Sequence, residues 1–186
     1  MMSKIRHETK ENRITKPVVL LGMMGSGKST IGKKLAKEIG CSFVDSDHFI
    51  EKEIGMTIKK IFSKFGEDYF RKKEKQCLNI LLKKPPSVIA IGGGTFIQNE
   101  IRNKIKKTSI SVWLKVNHKV LVRRCRNSRN RPLLANKDIT DEVKKLINDR
   151  YPIYKEANIT FENNGNFNWY IVNKIKKEIE KIQNNK

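Results

Sequence analysis

Gly22-Met23-Met24-Gly25-Ser26-Gly27-Lys28-Ser29 is the stretch whose reading decides the fold. It satisfies GxxxxGK[ST], and its surroundings are those the pattern requires. Before it, Pro17-Val18-Val19-Leu20-Leu21 is a short unbroken apolar run, as in a strand buried on both faces of a parallel sheet. After it, Ile31, Leu35, Ala36 and Ile39 recur at helical spacing until Gly40, a residue suited to closing a helix. Strand, glycine turn and helix in that order make a cradle for a phosphate chain. Glycines let the backbone wrap tightly, peptide N–H groups and the positive helix end face the anion, and Lys28 reaches the β and γ oxygens. The candidate nucleotide site is therefore Gly25, Ser26, Gly27, Lys28 and Ser29, with the Ser29 hydroxyl placed to ligate Mg2+ beside ATP.

Outward from this loop the alternation continues. A second strand over 41–44 stops at Asp45-Ser46-Asp47, and a helix from His48 ends at Gly55. Thr57 caps a helix bearing Ile58, Ile61, Phe62 and Phe65, and after Gly66 another runs over 68–82 to Pro85-Pro86. Further strands are expected over 87–91, 109–114 and 157–161, and helices over 117–126, 139–151 and 167–182, with an arginine-rich loop over 127–138. Strands alternating with helices predict an α/β fold built on a parallel sheet.

The 186 residues, 38% of them apolar, suit one domain. The chain contains no run of 18 apolar residues, and its first 15 residues are polar, without an apolar signal core, so we expect a disordered leader over 1–15 on a soluble, cytoplasmic protein with no membrane partner. Cys41, Cys77 and Cys125 are odd in number, far apart and outside any CxxC, which predicts ordinary reduced thiols. The net charge of +21 invites a polyanion, but the lysines are spread as pairs along the whole chain rather than gathered with aromatics. No nucleic acid is expected as the partner; acidic small substrates suit the same charge.

Asp45 and Asp47 leave the end of a strand, where ligands bind in open α/β sheets, and so can divide labour. One can anchor the water shell of magnesium while the other orients or deprotonates an attacking hydroxyl; a plain helix N-cap is the competing reading. Arg71 and Glu74, three apart on a helix, can pair so that the guanidinium is held as a fixed fork for a carboxylate, against the alternative of a solvated surface pair. Gly92-Gly93-Gly94 ends the third strand and lets a ligand approach the backbone closely. Arg123, Arg124, Arg126, Arg129 and Arg131 crowd a loop that could close over a nucleotide.

In chain order, GMMGSGKST (22–30), DSD (45–47), FGEDYFRKKE (65–74), GGG (92–94), RNRPLL (129–134) and DRYPIY (149–154) resemble the successive motifs of the shikimate kinase family, a branch of the nucleoside monophosphate kinase-like P-loop enzymes. The resemblance spans residues 16 to 162. It implies a three-layer αβα P-loop fold, a five-stranded parallel sheet of order 2-3-1-4-5, and one domain over 16–183 with a substrate-binding helical segment at 46–83 and a lid at 126–138. It also implies transfer of the γ-phosphoryl group of MgATP to the 3-hydroxyl of shikimate, a step of chorismate and aromatic amino acid biosynthesis, by a monomer.

By the same resemblance Asp47 contacts the hydroxyl as base, Arg71 and Arg150 grip the carboxylate, and Gly92, Gly93 and Gly94 line that pocket. Phe62 and Phe70 wall it, and Glu74 partners Arg71. Asp45 holds magnesium through water, Thr30 joins the ATP-binding loop, Arg124 stacks on adenine, and Arg131 touches the phosphates. Three rivals remain open at this stage: another small-molecule kinase on the same scaffold, acting on gluconate or a nucleotide; a basic nucleic-acid-binding protein with a vestigial nucleotide site; and a nucleotide-binding sensor without transfer.

Overall fold

Consecutive residues of β1 (Val18–Leu21) feed two different cores. Val19 and Leu21 pack with Ile89, Trp113, Phe96 and Leu121, whereas Val18 and Leu20 pack with Ile31, Leu35, Val112 and Ile175. A strand buried on both faces needs apolar residues at every position and helices on either side, hence the unbroken run in the sequence. The computed structural model describes residues 14–126, 138–163 and 169–185. Its sheet adds β2 (Phe43–Asp45), β3 (Val88–Ala90), β4 (Ile110–Val116) and β5 (Ile159–Asn163), in the order β2-β3-β1-β4-β5 with every pairing parallel. This is the order that the resemblance implied.

The helices are α1 (Lys28–Ile39), α2 (Ser46–Ile54), α3 (Ile58–Leu81), α4 (Asn99–Thr108), α5 (His118–Arg126), α6 (Ile139–Tyr154) and α7 (Trp169–Asn184). α1 and α7 cover one face of the sheet; α4, α5 and α6 supply the core on the other. The two helices expected on either side of Gly66 abut within α3, and Gly66, at φ 79° and ψ 176°, breaks the helical backbone between them as expected. α2 and α3 carry a small core of their own, Ile50, Ile61, Phe70 and Cys77, so the 46–83 segment stands on the sheet as a packed unit.

Ile14 and Thr15, which the sequence reading placed in the leader, are joined to the body of the domain. Ile14 is buried against the α1 and α7 side of the core, and Thr15 donates from its backbone N–H and its hydroxyl to Gln183 Oε1, at 2.7 and 3.0 Å. The lid expected over 126–138 falls outside the described residues apart from its two ends, and Arg129 and Arg131 fall outside with it.

Candidate active site

The phosphate loop ends at a helix terminus left open. Gly27 caps α1 in a left-handed conformation at φ 92°, with no side chain capping the first turn and no acidic residue in it. α2, α3 and α6 are each capped by a side chain, from Asp45, Thr57 and Asp138 respectively. The first N–H groups and the positive end of α1 are thereby reserved for an anion. At the start of the loop Gly22 has φ 145°, and a Cβ there would lie 2.8 Å from the Leu114 carbonyl oxygen.

Lys28 folds back over its own loop, donating from Nζ to the carbonyls of Gly22 at 2.9 Å and Met23 at 3.1 Å. Ser26 turns its side chain inward beneath Gly22 and is wholly buried. Ser29 and Thr30 are exposed on the first turn of α1. From α5, Arg124 donates through Nη1 to the carbonyl of Gly25 at 2.8 Å, which places this arginine at the same loop.

Asp45 caps α2, the plain reading weighed for it, and also reaches the phosphate loop. One carboxylate oxygen caps α2 by accepting from Asp47 N at 3.1 Å, and the other accepts from Ser29 Oγ at 2.6 Å. The acid therefore joins the nucleotide loop to the residue that follows it by two. Asp47 has a buried carboxylate oxygen, Oδ1, without a hydrogen-bond partner. Burial first, then the neighbouring charges of Asp45 and Glu74, push its carboxyl up to about 6, with Lys28 pulling the other way.

The three glycines after β3 serve space rather than conformation. A Cβ on Gly92 would lie 2.8 Å from Glu74 Oε1 and 3.1 Å from Asp47 Oδ1. On Gly93 it would lie 2.9 Å from Arg150 Nη1, and on Gly94 2.8 Å from both terminal nitrogens of Arg71. The sequence reading saw room for a ligand; the structure shows that the chain's own Asp47, Arg150 and Arg71 already stand against this backbone. Gly94→Ala is accordingly expected to displace the Arg71 guanidinium and raise KM for the phosphate acceptor roughly 10- to 100-fold, with KM for the nucleotide and Tm little changed. An unaltered acceptor KM in steady-state assays would remove Arg71 from acceptor binding.

Arg71 is no loose surface cation. Glu74, only 1% exposed, accepts from Arg71 Nη1 at 2.9 Å, from Thr95 Oγ1 at 2.5 Å and from Gln98 Nε2 at 3.0 Å. Glu67, one turn earlier, accepts from Arg71 Nε at 3.1 Å and Nη2 at 2.9 Å. A buried carboxylate is tolerated only when hydrogen-bonded this fully, and the fork it holds stays aimed. Phe70 is buried and Phe62 half-buried, their rings 4.8 Å apart, with the Arg71 guanidinium 5.3 Å from the Phe70 ring centre. Arg150, 9% exposed, reaches the same loop from α6, the helix that continues to Tyr154.

A family model described as shikimate kinase matches residues 24–180. The chain belongs to the shikimate kinase family. A shikimate kinase of Rhodopseudomonas palustris is 44% identical over 145 residues, 78% of this chain and 71% of that one. Another, of Thermodesulfovibrio yellowstonii, is 38% identical over 171 residues, 92% of this chain and 99% of that one. The solved shikimate kinase from Acinetobacter baumannii in complex with shikimate superposes with a TM-score of 0.83 at 36% identity, covering 92% of this chain and 94% of that one. A gluconokinase from Sinorhizobium meliloti reaches a TM-score of 0.62 at 16% identity over 93% and 96% of the two chains, and shares the fold alone. Family membership makes the chain an enzyme that passes phosphate from ATP to shikimate.

Glu67, Thr95, Gln98 and Tyr154 were absent from the sequence reading of the site. Glu67 lies four residues before Arg71 and Tyr154 four after Arg150, spacings that place each pair on one helix face and were legible. Thr95 and Gln98 lie beyond the glycines in sequence and carried no signal. Among the described residues no helix is long and apolar enough to cross a membrane.

Proposed function

We propose that the chain moves the γ-phosphoryl group of MgATP onto the 3-hydroxyl of shikimate, with Asp47 as base and Arg71 and Arg150 as the carboxylate clamp. The observation that carries this reading is the convergence at Gly92, Gly93 and Gly94. Two guanidinium groups from different helices and one partly desolvated acid meet within three residues of backbone. A clamp of two planar forks opposite a base suits a hydroxylated cyclic acid, not a nucleotide base.

The proton of the attacking hydroxyl passes to the Asp47 carboxylate as its oxygen bonds to the γ phosphorus. The bond from that phosphorus to the β–γ bridging oxygen breaks, and ADP leaves with the electron pair. An acid whose carboxyl is pushed up to about 6 is ionised at neutral pH yet more basic than an exposed aspartate. Lys28, released from the loop carbonyls, would hold the β and γ oxygens, with the backbone of Gly25, Ser26 and Gly27 and the exposed Ser29 and Thr30 around the phosphates. Arg131 would close on them from the lid, and Arg124 would lie toward adenine. Phe62 and Phe70 would wall the acceptor.

The Ser29 hydroxyl and Asp45 carboxylate, 2.6 Å apart, offer hard oxygen ligands at the end of the phosphate loop and fit Mg2+, held directly by Ser29 and through water by Asp45. Among the described residues no cluster of three metal-binding side chains competes for it. Bound there, the ion would neutralise charge on the β and γ oxygens. The three free thiols suit the reducing cytoplasm.

The test is ADP release on adding shikimate to enzyme with MgATP, beside gluconate, nucleoside monophosphates or no acceptor. Turnover only with shikimate is expected. Turnover with another acceptor would overturn the clamp assignment while leaving the phosphate loop in place.

A further inference from the structure

The hydroxyl of Tyr154 joins two parts of the acceptor site that no sequence motif connects. Arg150 and Tyr154 share one face of α6, four residues apart. Tyr154 is wholly buried, its ring set edge-on to Trp113 at 5.8 Å and to Phe96 at 6.4 Å. Its hydroxyl donates to the carbonyl of Gly93 and stands beside the Arg150 guanidinium, a Cβ placed on Gly93 lying 3.5 Å from Tyr154 Oη and 2.9 Å from Arg150 Nη1. Burial pushes this phenol up to about 12, so it keeps its proton throughout the working range and offers one fixed donor and one acceptor.

The consequence follows from peptide geometry. In a trans peptide C=O and N–H point in opposite directions, so with the Gly93 carbonyl on Tyr154 the N–H of Gly94 faces away from the phenol. Neither Gly93 nor Gly94 N–H donates to a backbone carbonyl among the described residues. A run of three glycines is otherwise the softest backbone in the site. We infer that Tyr154 is a positioning residue for the acceptor, locking the Gly93–Gly94 peptide plane and the Arg150 guanidinium into one arrangement through a single buried hydroxyl. The inference rests on Arg150 being part of the carboxylate clamp.

Tyr151 supplies a matched control. It lies on the same helix, packs edge-on to the same Trp113 at 4.9 Å, and donates its hydroxyl to the carbonyl of Val116 at 2.6 Å, at the end of β4. A purely structural role would make Tyr154→Phe and Tyr151→Phe alike: each would lower Tm and neither would alter acceptor binding. The positioning role predicts that Tyr154→Phe raises the Kd for shikimate, measured by calorimetry without nucleotide, roughly five- to tenfold, the scale of one lost hydrogen bond to a charged group. KM for shikimate rises in parallel, while KM for ATP and kcat stay within about twofold and Tyr151→Phe leaves shikimate binding as in the wild type.

Arg150→Lys separates the two readings at stake. If it leaves shikimate affinity unchanged, the clamp assignment fails, and the Tyr154 role falls with it. If Arg150→Lys weakens shikimate but Tyr154→Phe binds it as the wild type does, or weakens both substrates equally, the clamp stands and the Tyr154 proposal is overturned. The double variant supports the proposal if its loss is smaller than the sum of the single losses, because both changes would disturb one arrangement. A strictly additive loss would sink it.

Discussion

Replacing Lys28 by alanine is expected to lower kcat with shikimate and ATP by on the order of 10³-fold, the scale of losing a preorganised charge at the transferring group. The ammonium donates to two carbonyls of its own loop, those of Gly22 and Met23, contacts local to 22–28, so on the proposed role the change removes charge at the phosphates with little cost to the core. The folded state should survive. Steady-state assays with a melting curve separate the outcomes: wild-type kcat would take Lys28 out of the chemistry, and a collapsed Tm would make it structural.

Asp47→Asn is expected to lower kcat at least ~10²-fold through lost general-base assistance, while Kd for ATP stays within about twofold. The same variant carries a pH signature. In the wild type kcat/KM for shikimate should fall as pH drops through about 6, because the base becomes protonated there, and the residual activity of the asparagine variant should lack that limb. A wild-type profile flat down to pH 5 would assign the base elsewhere.

Stability should move the opposite way. The folded-state carboxyl lies above its ordinary value of 3.8, so the native state binds this proton more tightly than the unfolded chain does. The contribution is favourable at low pH and is lost as pH rises through about 6, with a bound of about 3 kcal/mol from a two-unit shift. At pH 8 the asparagine variant should therefore melt no lower than the wild type, and any advantage should vanish near pH 4. A marked fall in Tm at pH 8 would mean that the charged carboxylate is held by favourable contacts, against its unpartnered Oδ1.

The amino-acid sequence by itself determined the phosphate loop and the parallel sheet, and its ordered motifs carried the family resemblance that implied the strand order. These features are written in contiguous residues. GMMGSGKS carries its own backbone geometry, and a strand covered on both faces must be apolar at successive positions, as Val18 to Leu21 are. Boundaries followed where a glycine or a capping side chain sets them locally, as at Gly55, Thr57 and Asp138, and slipped by two residues at the N-terminal edge, where burial of Ile14 depends on α1 and α7.

Only the tertiary structure decided how the acceptor site is held. Arg71 alone reads as well as a solvated cation; what fixes it is Glu74, buried beneath Thr95 and Gln98 from more than 20 positions away. The raised carboxyl of Asp47 has its cause in enclosure beside Asp45 and Glu74. The three glycines read as loose turn or ligand contact until Asp47, Arg150 and Arg71 are seen against them. Desolvation and side-chain clearance arise from which surfaces the sheet order and the helix packing bring together, and residues distant in sequence acquire them only when the chain has closed.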